Sequence, residues 1–298
     1  MTISAEIPSE TRAHAWTVRV SRARPRRRRS RLLLIAGSAW LAVVLISAVF
    51  ADLLPLEDPN VDIGRGIRTG PFKSWSEPFG TDRLARSMLS RIVFGARASL
   101  QTAVASVAIA LLIGLLIGVL AGYVGGWVDT LVGVLTDSVL AFPGLVLLMV
   151  LAAFLQPSST TLIVGLSVLA MPSFARLARA NTLRIKSAEF VQAARALGAP
   201  TSSILVREIV PNVIGVLAAY AGIVASNLVI AEASLSYLGL GNPPPTPSWG
   251  NLIADGQSVL RDRPYYVFLP ALVLFFTVFS INILGEWVRS RSDGALQV

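Results

Sequence analysis

Residues 189–211 read EFVQAARALGAPTSSILVREIVP, a polar and charged stretch set between two long apolar runs. Phe190, Val191, Ala194 and Leu197 recur at spacings of one, three and three, which predicts a short helix. Gly198 and Pro200 end it. A second short amphipathic piece is expected from Ser202 to Val210, stopping at Pro211, where the next apolar run starts. A helix–glycine–helix hairpin with two small apolar faces has no core of its own to bury them in. The simplest reason for such a hairpin is a partner protein at the membrane face. A narrow amphipathic helix lying on lipid is the competing reading, and the apolar face is too narrow to favour it.

The composition around this stretch is that of a membrane protein. Hydrophobic residues make up 54% of the 298, charged residues 14%, and the mean hydropathy is +0.66. Soluble domains carry roughly 25% charged residues. A crossing helix needs about 20 mostly apolar residues, and six segments qualify: 32–53, 100–124, 131–154, 161–177, 213–237 and 265–288. No ten-residue alternating pattern suggests a barrel, so the spans are helical. The expected fold class is therefore an all-α polytopic membrane protein with six transmembrane helices. Residues 1–31 form a basic tail, 32–53 the first helix, 54–99 an external segment, 100–290 a five-helix core and 291–298 a second tail.

Charge sets the expected orientation. Nine of the 26 basic residues lie between Arg12 and Arg31, including the run Arg26 to Arg29, directly before the first apolar segment. Such a run could bind nucleic acid, but its position fits the positive-inside rule and attraction to anionic lipid. A cleaved leader fits less well, because the apolar run exceeds a signal core of about 7–15 residues. Both tails and the loop 178–212 are then cytoplasmic. The segment 55–99 conflicts with the rule, since it carries seven basic residues from Arg65 to Arg97 on the outer side. The first helix, with its far stronger signal, decides the orientation.

No catalytic constellation is present in the sequence. There is no cysteine, and the one histidine, His14, lies in the polar tail. Phosphate-binding loops, metalloprotease motifs and nucleophile elbows are missing. Asp129 and Asp137, eight residues apart, lie about 80° apart around a helix; they read as interfacial residues, not as a buried dyad. Glu232 is the acidic residue most nearly inside a span, about one turn from its outer end. Such a group is either a paired structural residue or part of a translocation path. The stretch Tyr237 to Gly250, with Pro243, Pro244 and Pro245, predicts a stiff loop in which Trp249 serves the headgroup belt or a docking surface. Gly114, Gly118 and Gly122, every four residues, predict a close helix–helix contact, within the chain in the first reading and with another subunit in the second. Pro143-Gly144 predicts a bend or hinge in the third span.

Three segments carry a resemblance. Gln192-Ala193-Ala194, then Gly198, then Ile209-Val210-Pro211 resembles the EAA loop of ABC importer permeases, with Gln192 where the family usually has Glu. Residues 232–256, EASLSYLGLGNPPPTPSWGNLIADG, are similar to the second permease of the dipeptide/oligopeptide/nickel branch. Phe79-Gly80-Thr81-Asp82, with Leu84, Arg86, Ser90-Arg91 and Gly95-Ala96-Arg97, is a third match. The resemblance implies a type I ABC importer permease fold in a bacterial inner membrane. It implies that Glu189, Gln192, Ala193, Ala194, Arg195, Leu197, Gly198 and Pro211 belong to a coupling element docked on a cytoplasmic ATPase. It implies a second homologous permease subunit, two ATPases that bind ATP and Mg in place of this chain, an external binding protein, and short peptides as substrates, with nickel chelates and glutathione as family variants. The resemblance favours a hinge at Pro143 and Gly144, which with Glu232 are the candidate path residues. A lone ion-coupled carrier would need an internal repeat and several ionisable groups at mid-bilayer, which the nearly charge-free spans lack. One departure matters: Gly133-Val134 stand where many members carry a basic residue before the second Asp, which makes an ion pair at that site unexpected.

The topology is open to direct measurement in this cysteine-free chain. Single cysteines at Ser74 and Ser248 are expected to react with an impermeant maleimide in intact cells, and one at Ser187 only after the cells are opened. Labelling of Ser187 from outside reverses the orientation.

Overall fold

The computed structural model describes residues 27–295 apart from 65, 67, 68, 74 and 76. Most of the basic tail, and the reporter position Ser74, lie outside the described residues. The described chain is helical, with one isolated antiparallel bridge between Thr81 and Ser87. Five helices are long and apolar enough to cross a membrane, or six crossings if one bent pair is counted as a single broken span. In chain order they are α1 (Arg27–Val49), α2 (Met88–Val124), the pair α3 (Gly126–Ala141) and α4 (Gly144–Phe154), α5 (Ser159–Lys186), α6 (Glu189–Ala196), α7 (Thr201–Ser203), a π-helical stretch (Ile204–Ile209), α8 (Val210–Tyr237), α9 (Trp249–Gln257) and α10 (Tyr265–Ala295).

Several boundaries differ from the sequence reading. The third span is not continuous: α3 and α4 meet at 89°. Phe142 is extended (φ −82°, ψ 137°) because Pro143 disfavours the helical region for the residue before it. Pro143 then begins α4 without needing a donor. The helix expected to stop at Pro211 instead runs unbroken from Thr201 to Tyr237. Proline removes a donor and crowds the carbonyl four residues earlier, here Arg207. That carbonyl lies in the π-helical stretch, whose wider turn accommodates the ring.

The second span begins at Met88 and not at 100. Its first turns hold Arg91 and Arg97, which read as loop residues on charge alone. Each is neutralised within the fold. The buried Arg91 lies 3.5 Å from Asp82 and 3.7 Å from Asp255. Arg97 bonds Asp52 at 2.8 Å and the carbonyl of Ala48 at 2.7 Å. Arg86 reaches Asp82 at 2.6 Å and Arg83 reaches Asp255 at 3.0 Å. The basic residues described between Arg83 and Arg97 are thus folded into ion pairs, which gives a physical reason why they need not act as a free positive-inside signal.

The Phe79–Asp82 turn lies against α9 and α10: Arg83 reaches Asp255 at 3.0 Å and the Tyr266 hydroxyl donates to the Thr81 carbonyl. Gly80 has φ +75°, and a Cβ there would strike the Thr69 carbonyl. The Asp82 carboxylate accepts from the backbone of Leu84 at 2.8 Å and of Arg86 at 2.9 Å. Ser87 caps α2 and donates to Glu77 at 2.6 Å. Trp249 is fully buried and donates from its indole to the Ile92 carbonyl at 3.2 Å; it is neither a headgroup-belt nor a docking residue. Ser248, the N-cap of α9, has no exposed surface, so the exposed Thr246 is the accessible labelling position on that loop.

The core is built on α2 against α5. A Cβ on Gly114 would lie 2.6 Å from Cβ of Phe174, one on Gly118 2.6 Å from Cβ of Ala178, and one on Gly122 2.9 Å from the Arg179 carbonyl. The glycine stripe is the intrachain contact its spacing predicts. Helix α8 packs across this pair, α10 packs on α8 through Gly222 and Gly285, and α1 lies outermost on α10 and α2.

Gly118→Val is expected to force α2 and α5 apart and cost about 3 kcal/mol, the upper end of an overpacked core. Gly215, whose Cβ position is open, is the control. Fluorescence-detected size exclusion after heating is expected to show a large loss of monodisperse protein for Gly118→Val and little change for Gly215→Ala.

Candidate functional site

The helix α6 leaves the C-terminal end of α5 after Ser187 and returns through α7 and the π-helical stretch into α8. Its sequence folds this way for local reasons. Glu189 stands in the first turn and Arg195 in the last, matching the helix dipole. Gly198 adopts φ +79° with open space around it, so glycine is required there by backbone conformation and not by crowding. The Gly198 amide bonds the Arg195 carbonyl at 3.0 Å, and the Ala199 amide bonds that of Ala194 at 3.1 Å, closing the helix end. Gln192 donates from its side chain to the Lys186 carbonyl at 3.1 Å, satisfying an acceptor at the end of α5. A glutamate at 192 has no donor for that carbonyl, so the departure from the usual Glu has a local use.

The apolar residues divide differently from the sequence expectation. Phe190, Val191, Ala194 and Leu197, which share one periodicity in the sequence, part company in the fold. Val191, not Phe190, is fully buried, and Ala194 packs with it on the core beside Ile204 and Ile209. Phe190 is about half exposed, Leu197 is 88% exposed and Val206 67%. Glu189, Gln192, Ala193, Arg195 and Gly198 are exposed around them. The element therefore has an inner face that fixes it to the spans and an outer face that is apolar at its centre and charged at its edge. Pro211 is exposed and lies in the first turn of α8, behind the outer face.

Connections run from this element into the spans. Lys186 donates to the Tyr123 carbonyl at 2.5 Å and sits over the Tyr123 ring, tying the ends of α5 and α2 together. Arg179 of α5 pairs with Asp129 of α3, the Nη2–Oδ2 bond being 2.6 Å, and Arg176 pairs with Asp137. The ion pair that Gly133-Val134 made unexpected is present, supplied by α5 across the helix interface. Sequence alone lacked the signal, because the arginines lie 39 and 50 residues from their partners. Helix α4 meets α5 through glycine contacts: a Cβ on Gly144 would lie 2.9 Å from Leu169, and one on Gly165 2.9 Å from Leu148. Helix α5 thus holds α2, α3, α4 and the element 189–211.

The residues expected along a path, Pro143 with Gly144 and Glu232, lie outside this element. Pro143 and Gly144 form the corner between α3 and α4. Glu232 has no exposed surface and accepts from Ser236 at 2.7 Å. Its second carboxylate oxygen, Oε2, is buried without a hydrogen-bond partner. Nearby, Asn242 accepts from Ser159 at 2.6 Å and its carbonyl receives Asn251 at 2.9 Å, so the loop after α8 is fastened to the start of α5. Among the described residues no group of three or more His, Cys, Asp or Glu could hold a metal ion.

Comparison with known proteins places this geometry. Residues 114–294 match the family model described as binding-protein-dependent transport system inner membrane component. The glutathione transport system permease protein GsiD of Salmonella typhimurium is 37% identical over 267 residues, covering 89% of this chain and 87% of that protein. GsiD of Escherichia coli is 34% identical over 270 residues, covering 90% and 88%. Among solved structures, a chain of the MetNI methionine ABC transporter in an inward-facing conformation has a TM-score of 0.55 at 21% identity, covering 69% of this chain and 97% of its own, which establishes a shared fold. A helical chain with a broken third crossing and this helical element between two spans, related over most of its length to such proteins, belongs to the binding-protein-dependent inner membrane components and is a permease subunit of an ABC importer.

Proposed function

We propose that this chain forms half of the translocation pathway for short peptides, glutathione foremost, delivered by an external binding protein. The substrate class rests on the relatives, whose names specify glutathione, a tripeptide within the class that the resemblance of residues 232–256 implies. Nickel chelates are the alternative cargo. The other half is a second homologous permease. Two cytoplasmic ATPases bind ATP and Mg and hydrolyse the nucleotide. Both termini and the α6 face are cytoplasmic, and the α9 face is external.

The observation that carries the coupling role is the two-faced element 189–211. Its exposed centre, Leu197 with Phe190, suits an apolar groove, and Glu189, Gln192, Ala193 and Arg195 surround that centre. Its inner side, through Val191 and Ala194, packs into the same core cluster as buried residues of α5 and α8. Gly198 sets the reversal, and Pro211 lies in the first turn of α8, the helix that receives the motion. Nucleotide binding biases the permease only if the ATPase contacts this surface differently in its two states. Displacement of α6 then reaches α5, and through α5 the ion-paired α3 and the corner at Pro143 and Gly144. We place Pro143 and Gly144 on the moving wall of the path, and Glu232 behind that wall, bracing α8.

Vesicles containing both permeases and both ATPases, with ATP on the ATPase side and binding protein on the other, are expected to accumulate labelled glutathione. A dipeptide and a nickel chelate serve as competitors. Competition by the chelate alone, with no glutathione uptake, moves the cargo to the alternative class. Leu197→Asp places a charge in the centre of the docking surface without touching the core. It is expected to insert normally and to weaken ATPase association at least tenfold, as for a central apolar interface residue at about 2 kcal/mol. Full association and full uptake in this variant remove the coupling assignment.

A further inference from the structure

The outer face of α1 against α2 carries a groove that the transport reading leaves unused. One part, about 600 Å³, is lined by Leu45 and Val49 of α1 and by Leu100, Val104 and Ala105 of α2. These residues lie within the apolar spans, and Val49 and Val104 are 66% and 60% exposed. Toward the α9 face the groove meets Arg97 and Gln101 and continues into a second basin of about 560 Å³. That basin is rimmed by Asp52, Glu57 and Asp58. The two cavities share Arg97 and Gln101, so one continuous track runs from apolar side chains to a cation and then to carboxylates.

Arg97 marks the level at which the chain leaves the apolar layer. Its guanidinium donates to the Ala48 and Val49 carbonyls at 2.7 and 3.0 Å, closing the C-terminal end of α1. It also bonds one oxygen of Asp52 at 2.8 Å, and its side chain keeps 24% exposure. Asp52 and Asp58 remain exposed above it. The order along the track is apolar, positive, negative. An amine-bearing phospholipid presents the complementary order: acyl chain, phosphate, primary ammonium.

We propose that this track is a binding site for one phosphatidylethanolamine molecule. The acyl chain lies along Leu45, Leu100 and Val104. The phosphate takes charge-assisted bonds from Arg97 and Gln101, and the ammonium donates to Asp52 and Asp58. A phosphatidylglycerol headgroup brings no ammonium to the carboxylates. A phosphatidylcholine headgroup brings a cation without N–H donors. The site discriminates against both by leaving the acidic rim unmatched. The lipid fills a seam between the outermost helix and the core, and this role is independent of the solute carried.

The test is native mass spectrometry of the intact importer taken from vesicles holding equal parts phosphatidylethanolamine, phosphatidylglycerol and phosphatidylcholine. The expected result is one retained phosphatidylethanolamine per copy of this chain. Asp52→Asn with Asp58→Asn is expected to lower its retention about tenfold, the loss of a charge-assisted hydrogen bond, and to raise phosphatidylglycerol. Val104→Trp fills the apolar track without touching the headgroup residues and is expected to abolish retention while the complex stays assembled. Retention of the three lipids in proportion to their supply overturns the proposal. So does unchanged phosphatidylethanolamine in Val104→Trp. Crosslinking of a cysteine at Leu45 to the second permease, with no lipid retained, overturns it in favour of a protein contact.

Discussion

The close approach of α2 and α5 is the constraint on which the rest of this molecule depends. Three glycines on successive turns of α2 lie against Phe174, Ala178 and the Arg179 backbone so closely that no larger residue fits. In a bilayer the helices gain little from excluding apolar surface, because lipid tails are as apolar as leucine, and contact distance decides association. Once the pair is formed, α5 presents its other faces to α3, α4 and α8. The element 189–211 leaves from its end. A shift at that end therefore has a stiff path into the spans.

Charge is handled in two ways that follow from the same physics. On the α9 face, Arg83, Arg86, Arg91 and Arg97 are paired with Asp82, Asp255 and Asp52, so helix α2 carries arginines into its first turns. On the α6 face, Arg176 and Arg179 clamp the first half of a broken crossing. The break at Pro143 leaves α3 without continuous helical support from α4, and the two pairs replace it. These latter pairs are partly exposed, so their contribution is to register more than to stability. A contact of this kind can be remade as α3 moves.

The element 189–211 is two-faced because its apolar residues are too few to form a core. Val191 and Ala194 are taken by the spans, while Leu197 and Phe190 are left over. A surplus of that size on a charged surface is what a docking helix needs and what a free loop avoids. The family assignment and the geometry meet at this point: the segment that resembles a coupling loop is also the one whose outer apolar residues lack a place in the chain's own interior.

The all-helical character of the spans, the glycine contact and the short helix at Glu189 were legible in the sequence, because each depends on hydrophobic run length or local periodicity. The family was legible from three ordered motifs. What the tertiary structure decided were features set by distant partners. Asp129 and Asp137 found arginines on another helix. Trp249 became core because α9 folds back on α2. Arg91 became helical because Asp82 and Asp255 neutralise it. The bend at Pro143 was predicted as a kink, but its 89° angle depends on where α4 packs on α5. Pro211 did not end its helix, because the preceding π turn absorbed the clash. A linear pattern carries propensity and burial period; it does not carry the identity of a neighbour many residues away, and that identity determines whether a charge or a proline is a stop or a joint.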